Sequence, residues 1–356
     1  MLKNAGDAAM DASMMEDGGG AIDAGNDGGS VACVPLEGDY RPGETDSWDA
    51  CISDDGTYTP VDNAASTIAR IDAFEEIRDL ILTPKATPTS QDFSDAYLKY
   101  TQAEGLESRV ERRYDPHEGT AIDQDAVSGI DCGNETQVTN NPDFCVGPAR
   151  IGPAIDDAFN AGIATPSGEQ AGIIEGGLLW FFYISQYKES LTCSATVKDC
   201  DSSWAYTTGG GARGEENGFV SYVRSIDGDA ADRIYDGALA VRCWRDLDMA
   251  VGYDSVDEEL RDAARDQYDR AALDGAAVIV LDRLNRALDA TGDERAYYLA
   301  SAETLANAIY SAMESRSMAA RTKLESALTA DTVDNTKIQD AMDAIGAVFP
   351  IACMLE

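Results

Sequence analysis

After Asn63 the chain settles into a three- to four-residue recurrence of apolar positions. Ile68, Ile71, Phe74, Ile77, Leu80 and Leu82 follow it, which predicts an amphipathic helix. Pro84 and Pro88 end that helix, because proline removes a backbone donor and clashes with the preceding turn. Residues 91–110 read as a second helix. The stretch 111–150 holds DPHEG, DCGNET and NNPDFCVGP and reads as a long loop pinned by two cysteines. A loop of that length in a compact domain is usually functional or an elaborated surface feature. Ser167-Gly168-Glu169-Gln170 has capping-box form, with the polar residue three positions on that reaches back to the cap. Behind it Ile173, Ile174, Leu178, Leu179, Trp180, Phe181, Phe182 and Ile184 cover nearly every face. A helix apolar all round belongs at the centre of a bundle.

Residues 193–214 read as a second Cys-bounded loop, ending in Gly209-Gly210-Gly211. Helices are predicted over 215–226 and 229–250. Another runs to about Leu288 from a capping box at Ser255-Val256-Asp257-Glu258. A long kinked helix is predicted over 293–328, and a last one from Asp334 to Met354, with Pro350 breaking its final turn. No alternating strand pattern occurs. The expected class is all-α, an up-and-down helical bundle with disulfide-closed loop elaborations. Residues 1–31 are Ala-, Asp- and Gly-rich without periodicity, so they are expected to form a disordered tether. Residues 32–356 are expected to be one bundle domain. Within it, 32–60, with turn signals such as Asp54-Asp55-Gly56, form an irregular Cys-closed cap.

Charge narrows the function classes. Acids outnumber bases 65 to 27, for a net charge of −38. Nucleic-acid binding is excluded, because nothing would neutralise the phosphates. Such a field keeps the surface solvated and concentrates cations near it without fixing a site. No apolar run is long enough to span a bilayer.

The eight cysteines, at 33, 51, 132, 145, 193, 200, 243 and 353, form no CxxC. Zinc-ribbon and thioredoxin-like readings therefore fail, and disulfides formed in an oxidising compartment are expected. Pairing neighbours gives Cys33–Cys51, Cys132–Cys145 and Cys193–Cys200, and leaves Cys243–Cys353. That last loop of about 110 residues would be worth roughly 4–5 kcal/mol in the chain-entropy account. Residues 1–31 lack the basic and apolar regions of a signal peptide, so an export signal is expected upstream or already removed. Their composition is similar to the tethers behind the lipid-modified cysteine of bacterial surface lipoproteins, which points to an upstream lipid anchor.

Three acids sit inside helices and are followed by Gly and a small residue: Glu175-Gly176-Gly177, Asp236-Gly237-Ala238 and Asp274-Gly275-Ala276. Glycine costs about 1 kcal/mol in a helix interior, so the pattern calls for a reason. One is close helix approach, with the acids salt-bridged to Arg213, Arg242, Arg245 or Arg270. The other is room for a carboxylate-lined metal cavity of the kind bundles build. Glu175 lies in the most apolar setting and needs a cation, a proton or an arginine. The lone His117, in Asp115-Pro116-His117-Glu118, could join a metal shell or be an exposed loop histidine. Asp201 and Tyr206, beside a Gly-rich turn, offer the carboxylate and phenolate oxygens that hard Fe³⁺ accepts, or brace a loop. No GxSxG and no second histidine are present, so no catalytic constellation is expected.

Two resemblances follow from these residues. Ile174-Glu175-Gly176-Gly177-Leu178-Leu179-Trp180 resembles the central helix of imelysin-like proteins. Those are periplasmic helical bundles, several linked to iron uptake, with a GxHxxE motif ahead of a Leu-Leu-aromatic run. Glu175 falls on the motif's Glu, Gly172 on its His and Gln170 on its leading Gly. The run from Asp199 to Gly210, DCDSSWAYTTGG, resembles the algal low-iron-inducible periplasmic iron-assimilation proteins, which share acid-x-x-Trp-Ala-aromatic followed by Gly. Residues 168–210 carry the match. It implies an extracytoplasmic helical protein, periplasmic or at the cell surface, that binds iron for metal acquisition, and not an enzyme; the carboxylate ligands leave calcium as the alternative metal ion. A structural or protein-binding surface lipoprotein without metal, and an imelysin-type peptidase, are the alternatives.

Overall fold

The structure is a computed structural model that describes residues 35–43, 48–49, 51, 53–83, 87–102, 105–118, 130–251, 257–330 and 332–349. The expected tether 1–31, Cys33, Cys353 and Pro350 lie outside them. Among the described residues there are thirteen α-helices and no strand. In chain order they are α1 (Ala65–Ile81), α2 (Ser90–Gln102), α3 (Leu106–Val110), α4 (Glu135–Asn140), α5 (Gly152–Ala164), α6 (Gly168–Thr192), α7 (Lys198–Thr208), α8 (Phe219–Arg224), α9 (Gly228–Val251), α10 (Glu258–Asp289), α11 (Gly292–Ala306), α12 (Tyr310–Leu328) and α13 (Asn335–Gly346). The chain is an all-α bundle with disulfide-closed loops.

The helix that is apolar all round, α6, is the hub. Every residue from Ile174 to Gln186 is buried, because α5, α7, α10 and α11 surround it. Glycines set how closely α11 approaches. Gly172 faces the Tyr297 carbonyl, and a Cβ on Gly176 would stand 2.7 Å from the Ser301 carbonyl oxygen. The other two acid-Gly pairs have the same cause: a Cβ on Gly237 would lie 2.6 Å from Tyr268 Cα, and one on Gly275 2.7 Å from Ile234. Because backbone cannot swing aside as a side chain can, Gly172→Ala is expected to destabilise the protein by about 3 kcal/mol, the upper end of overpacking costs. Gly228→Ala, with nothing within 4 Å, should change stability by less than about 0.5 kcal/mol. Urea unfolding of the two variants checks this, and equal effects would refute the close-approach account.

Several boundaries differ from the sequence-based expectation for identifiable reasons. The second expected helix is interrupted at Gly105, whose φ of 80° is left-handed, leaving α2 and the short α3. The 193–214 region is not all loop, since α7 occupies half of it. Asp199 and Asp201 in its first turn complement the helix N-terminus, and Gly209 at φ 63° ends it. Polar Asp201, Ser203 and Thr207 are buried on it beside Trp204, Ala205 and Tyr206, which hid it from an apolar-periodicity reading. The long loop 111–150 contains α4 and a π-helical turn, Gly147–Ile151, leading into α5. The 293–328 segment is two helices parted at 307–309, with a further kink at Ser317. The cap that starts α10 is Asp257, whose side chain accepts from the Leu260 N–H. Ser167 does cap α6, but its hydroxyl bonds the Gln170 side chain at 3.1 Å, not the backbone.

Disulfides Cys132–Cys145 and Cys193–Cys200 form as expected. The expected Cys33–Cys51 and Cys243–Cys353 pairings are corrected: Cys51 joins Cys243 across 192 residues. Adjacency in sequence failed here because the cap folds back onto the bundle. Tyr40 and Gln267 exchange backbone–amide hydrogen bonds of 2.8 and 2.9 Å. The disulfide adds a second attachment, to α9.

Candidate functional site

Each predicted ligand has a place, and six places are not one site. Glu175 is fully buried on α6. Its carboxylate accepts from Arg283 of α10 at 2.9 and 3.1 Å and from the hydroxyls of Tyr297 and Ser301 of α11. Tyr297 and Ser301 are one turn apart, so the glycine-mediated approach of α11 brings both to it. Burial pushes the Glu175 pKa up, but Arg283 and the hydrogen bonds outweigh that and hold it below the ordinary value. Asp236 is paired with Arg213. Asp274 has Arg233 at 3.7 Å. Glu175, Asp236 and Asp274 form no common group of ligand atoms among the described residues.

Asp201 is likewise spoken for. It accepts from Arg245 at 2.7 Å, from the Tyr58 hydroxyl at 3.1 Å, and from the backbone N–H groups of Val61 and Asp62. It pins the chain that enters α1. Tyr206 is buried, and its hydroxyl accepts from Arg70 and Arg113, both at 3.4 Å. His117 is clamped between Asp115 at Nδ1, 2.7 Å, and Asp269 at Nε2, 3.0 Å, with its ring stacked on Tyr187. Burial lowers its pKa, but the two carboxylates outweigh burial and hold it well above the ordinary value. An imidazolium with both nitrogens engaged has no lone pair for a metal.

A different cluster has what those residues lack. Glu107 and Glu111, one helical turn apart, and Asp156 of α5 bring ligand oxygens within 4.8 Å of one another. The local sequence explains the meeting. Gly147 lies against the Val110 and Arg113 backbone, donating to the Arg113 carbonyl at 2.9 Å. A Cβ on Gly152 would touch Val110 and Glu111, and Cys132–Cys145 ties off the loop just before Gly147. The start of α5 is thereby laid against the end of α3. None of the three carboxylates pairs with an arginine or lysine among the described residues, unlike the buried acids above. Burial first, then Glu107, Glu111 and Asp157, push the Asp156 pKa up to about 6, and its buried Oδ1 has no hydrogen-bond partner. Tyr100 of α2 is fully buried and its hydroxyl is also without a partner. Its pKa is raised by burial and then by Asp156, Glu107 and Glu111.

The three carboxylates are an all-oxygen donor set, which suits a hard cation. Sequence reading passed over it. The available signal was the like-charge pair Glu107 and Glu111 at i,i+4, which is unfavourable on a helix unless something lies between them. Asp156, 45 positions on, could not be linked to them without the fold. Compared with protein-family models, curated proteins and solved structures, the chain matches none.

Proposed function

We propose that this protein is an extracytoplasmic, disulfide-braced helical bundle that binds a hard cation, iron first and calcium as the alternative, through Glu107, Glu111, Asp156 and Tyr100. One observation carries the reading: three metal-type ligands converge without a compensating arginine or lysine among the described residues, and the buried Tyr100 hydroxyl has no hydrogen-bond partner among them. Three like charges this close repel unless a proton or a cation joins them. The three disulfides support folding in an oxidising compartment, and no helix is long and apolar enough to cross a membrane. Metal acquisition at the cell surface or in the periplasm completes the reading.

The test is thermal unfolding of the oxidised protein with and without ferric iron or calcium. Metal should raise the melting temperature at pH 7, by an amount that grows with concentration. The rise should fade as pH falls through about 6, where Asp156 takes up a proton. The folded pKa lies above the ordinary aspartate value, so the apo protein loses stability as pH rises between the two. Asp156→Asn should therefore stabilise the apo protein at pH 7 while abolishing the metal-dependent rise. Iron bound through Tyr100 should give a visible phenolate-to-iron absorption that Tyr100→Phe removes, whereas calcium gives none. No metal response in the wild type, or one that survives Asp156→Asn, would overturn the proposal.

A further inference from the structure

Arg70 is the counterpart of the uncompensated acids. The described residues include six buried arginines. Five have a carboxylate within 4 Å: Arg113 with Glu189, Arg242 with Asp246, Arg245 with Asp201, Arg265 with Asp262 and Arg283 with Glu175. Arg70, only 5% exposed, has none. Its Nη1 reaches two neutral hydroxyls, Thr67 and Tyr206, both at the long distance of 3.4 Å, and its buried Nε has no partner. An isolated buried cation costs several kcal/mol, and in a chain where acids outnumber bases 65 to 27 a carboxylate would be the easiest residue to supply. Its absence leaves room for an anion that is not part of the chain.

The place for that anion is a cavity of about 330 Å³ that Arg70 lines together with the first turn of α1. The start of this 17-residue helix faces the cavity with its positive dipole end, although the Asn63 side chain accepts from the Ala65 N–H at 3.1 Å and the Ala64 carbonyl from the Thr67 N–H. Arg109, Lys188 and Lys198 line it as well, two of only seven lysines in the chain. The carboxylates in the wall are Asp62, Glu189 and Asp199. Glu189 is already neutralised by Arg113 and Lys188, and the Asp62 carboxylate accepts from the Asn63 N–H at 2.6 Å.

We propose that this cavity binds a small multiply charged oxyanion, a phosphate or polycarboxylate group, with Arg70 as its buried anchor. The guanidinium fork suits two oxygens of one such group. Lys198 supplies a point charge, and the helix end adds its positive dipole. The site is separate from the acidic cluster. Arg109 reaches it from α3, two residues from both Glu107 and Glu111, a spacing that puts it on the other side of that helix.

Isothermal titration of the oxidised full-length chain with inorganic phosphate, and separately with citrate, at constant ionic strength tests this, with chloride as the control. One or both oxyanions should bind and chloride should not, and which of them binds more tightly identifies the source of the group. Arg70→Met should weaken binding by about tenfold to a hundredfold, the worth of a charge-assisted hydrogen bond. Lys198→Gln, at an exposed position, should weaken it by a smaller factor and decides the matter if Arg70→Met does not fold. Asp156→Asn should leave anion binding unchanged, which separates this site's failure from failure of the cation site. Binding of neither oxyanion, or binding that folded Arg70→Met or Lys198→Gln leaves unchanged, would overturn the proposal.

Discussion

Glu175→Gln is expected to destabilise the protein by about 3–5 kcal/mol, the cost of stranding a buried charge without its partner. Arg283 would keep its contact to Asp282 but lose the carboxylate that accepts two of its donors. Tyr297 and Ser301 would face an amide in place of an anion. Double replacement by apolar residues, Glu175→Met with Arg283→Met, should recover much of the loss, because no uncompensated charge then remains. The pH dependence has a definite sign. The folded pKa of Glu175 is depressed, so its contribution is present above the ordinary carboxylate value and is lost as pH falls through the folded one. Chemical unfolding of the variants at neutral and acidic pH measures both effects. A single variant within about 1 kcal/mol of wild type would show that the pair carries no such weight. A metal-dependent stabilisation of the wild type that Glu175→Gln abolishes would show that a cation, not Arg283, is the partner.

Removing the Cys51–Cys243 disulfide should cost about 5 kcal/mol, more than removing either of the other two. In the chain-entropy account the effect grows with the logarithm of the closed loop. The loops here are 192, 13 and 7 residues, which ranks the short ones near 3 and 2 kcal/mol by the same relation. Cys51→Ala with Cys243→Ala should also loosen the cap, since the Tyr40–Gln267 bonds and the Arg270–Asp39 pair would then hold its N-terminal part without the disulfide. Urea unfolding of the three double-alanine variants gives the ranking directly. If Cys132 and Cys145 prove the costlier pair, loop closure is not what sets the stabilisation.

Helix class, the central position of α6 and two of the disulfides were legible in the sequence for physical reasons. Apolar periodicity reports which face meets water, and an all-apolar run such as Ile174–Ile184 can sit only inside. Glu175 was legible as a problem, a charge in an apolar helix, but not as a solution. Its arginine lies 108 residues away on α10, and Arg283 was not among the partners the sequence suggested. The inward face of α7 was illegible because its buried Asp201, Ser203 and Thr207 look like surface residues until their partners are known. Arg70 was unreadable for the converse reason: one arginine among many stands out only when the others have been seen to be paired.

What the sequence by itself determined is local: where helices run, where Gly and Pro stop them, that thiols of this number and spacing pair, and that the surface is acidic. Those features depend on residues within a few turns of one another, so the chain order carries them. What only the tertiary structure decided is which charges meet. Asp236 went to Arg213 and Asp274 to Arg233, while among the described residues Glu107, Glu111 and Asp156 were left without a cation and Arg70 without an acid. Electrostatic and hydrogen-bond energies fall off over a few ångströms, and separation in space is set by packing rather than by position in the chain. The same composition could have satisfied every one of these groups, and close approach at Gly147, Gly152, Gly172 and Gly176 settled which were satisfied and which were not.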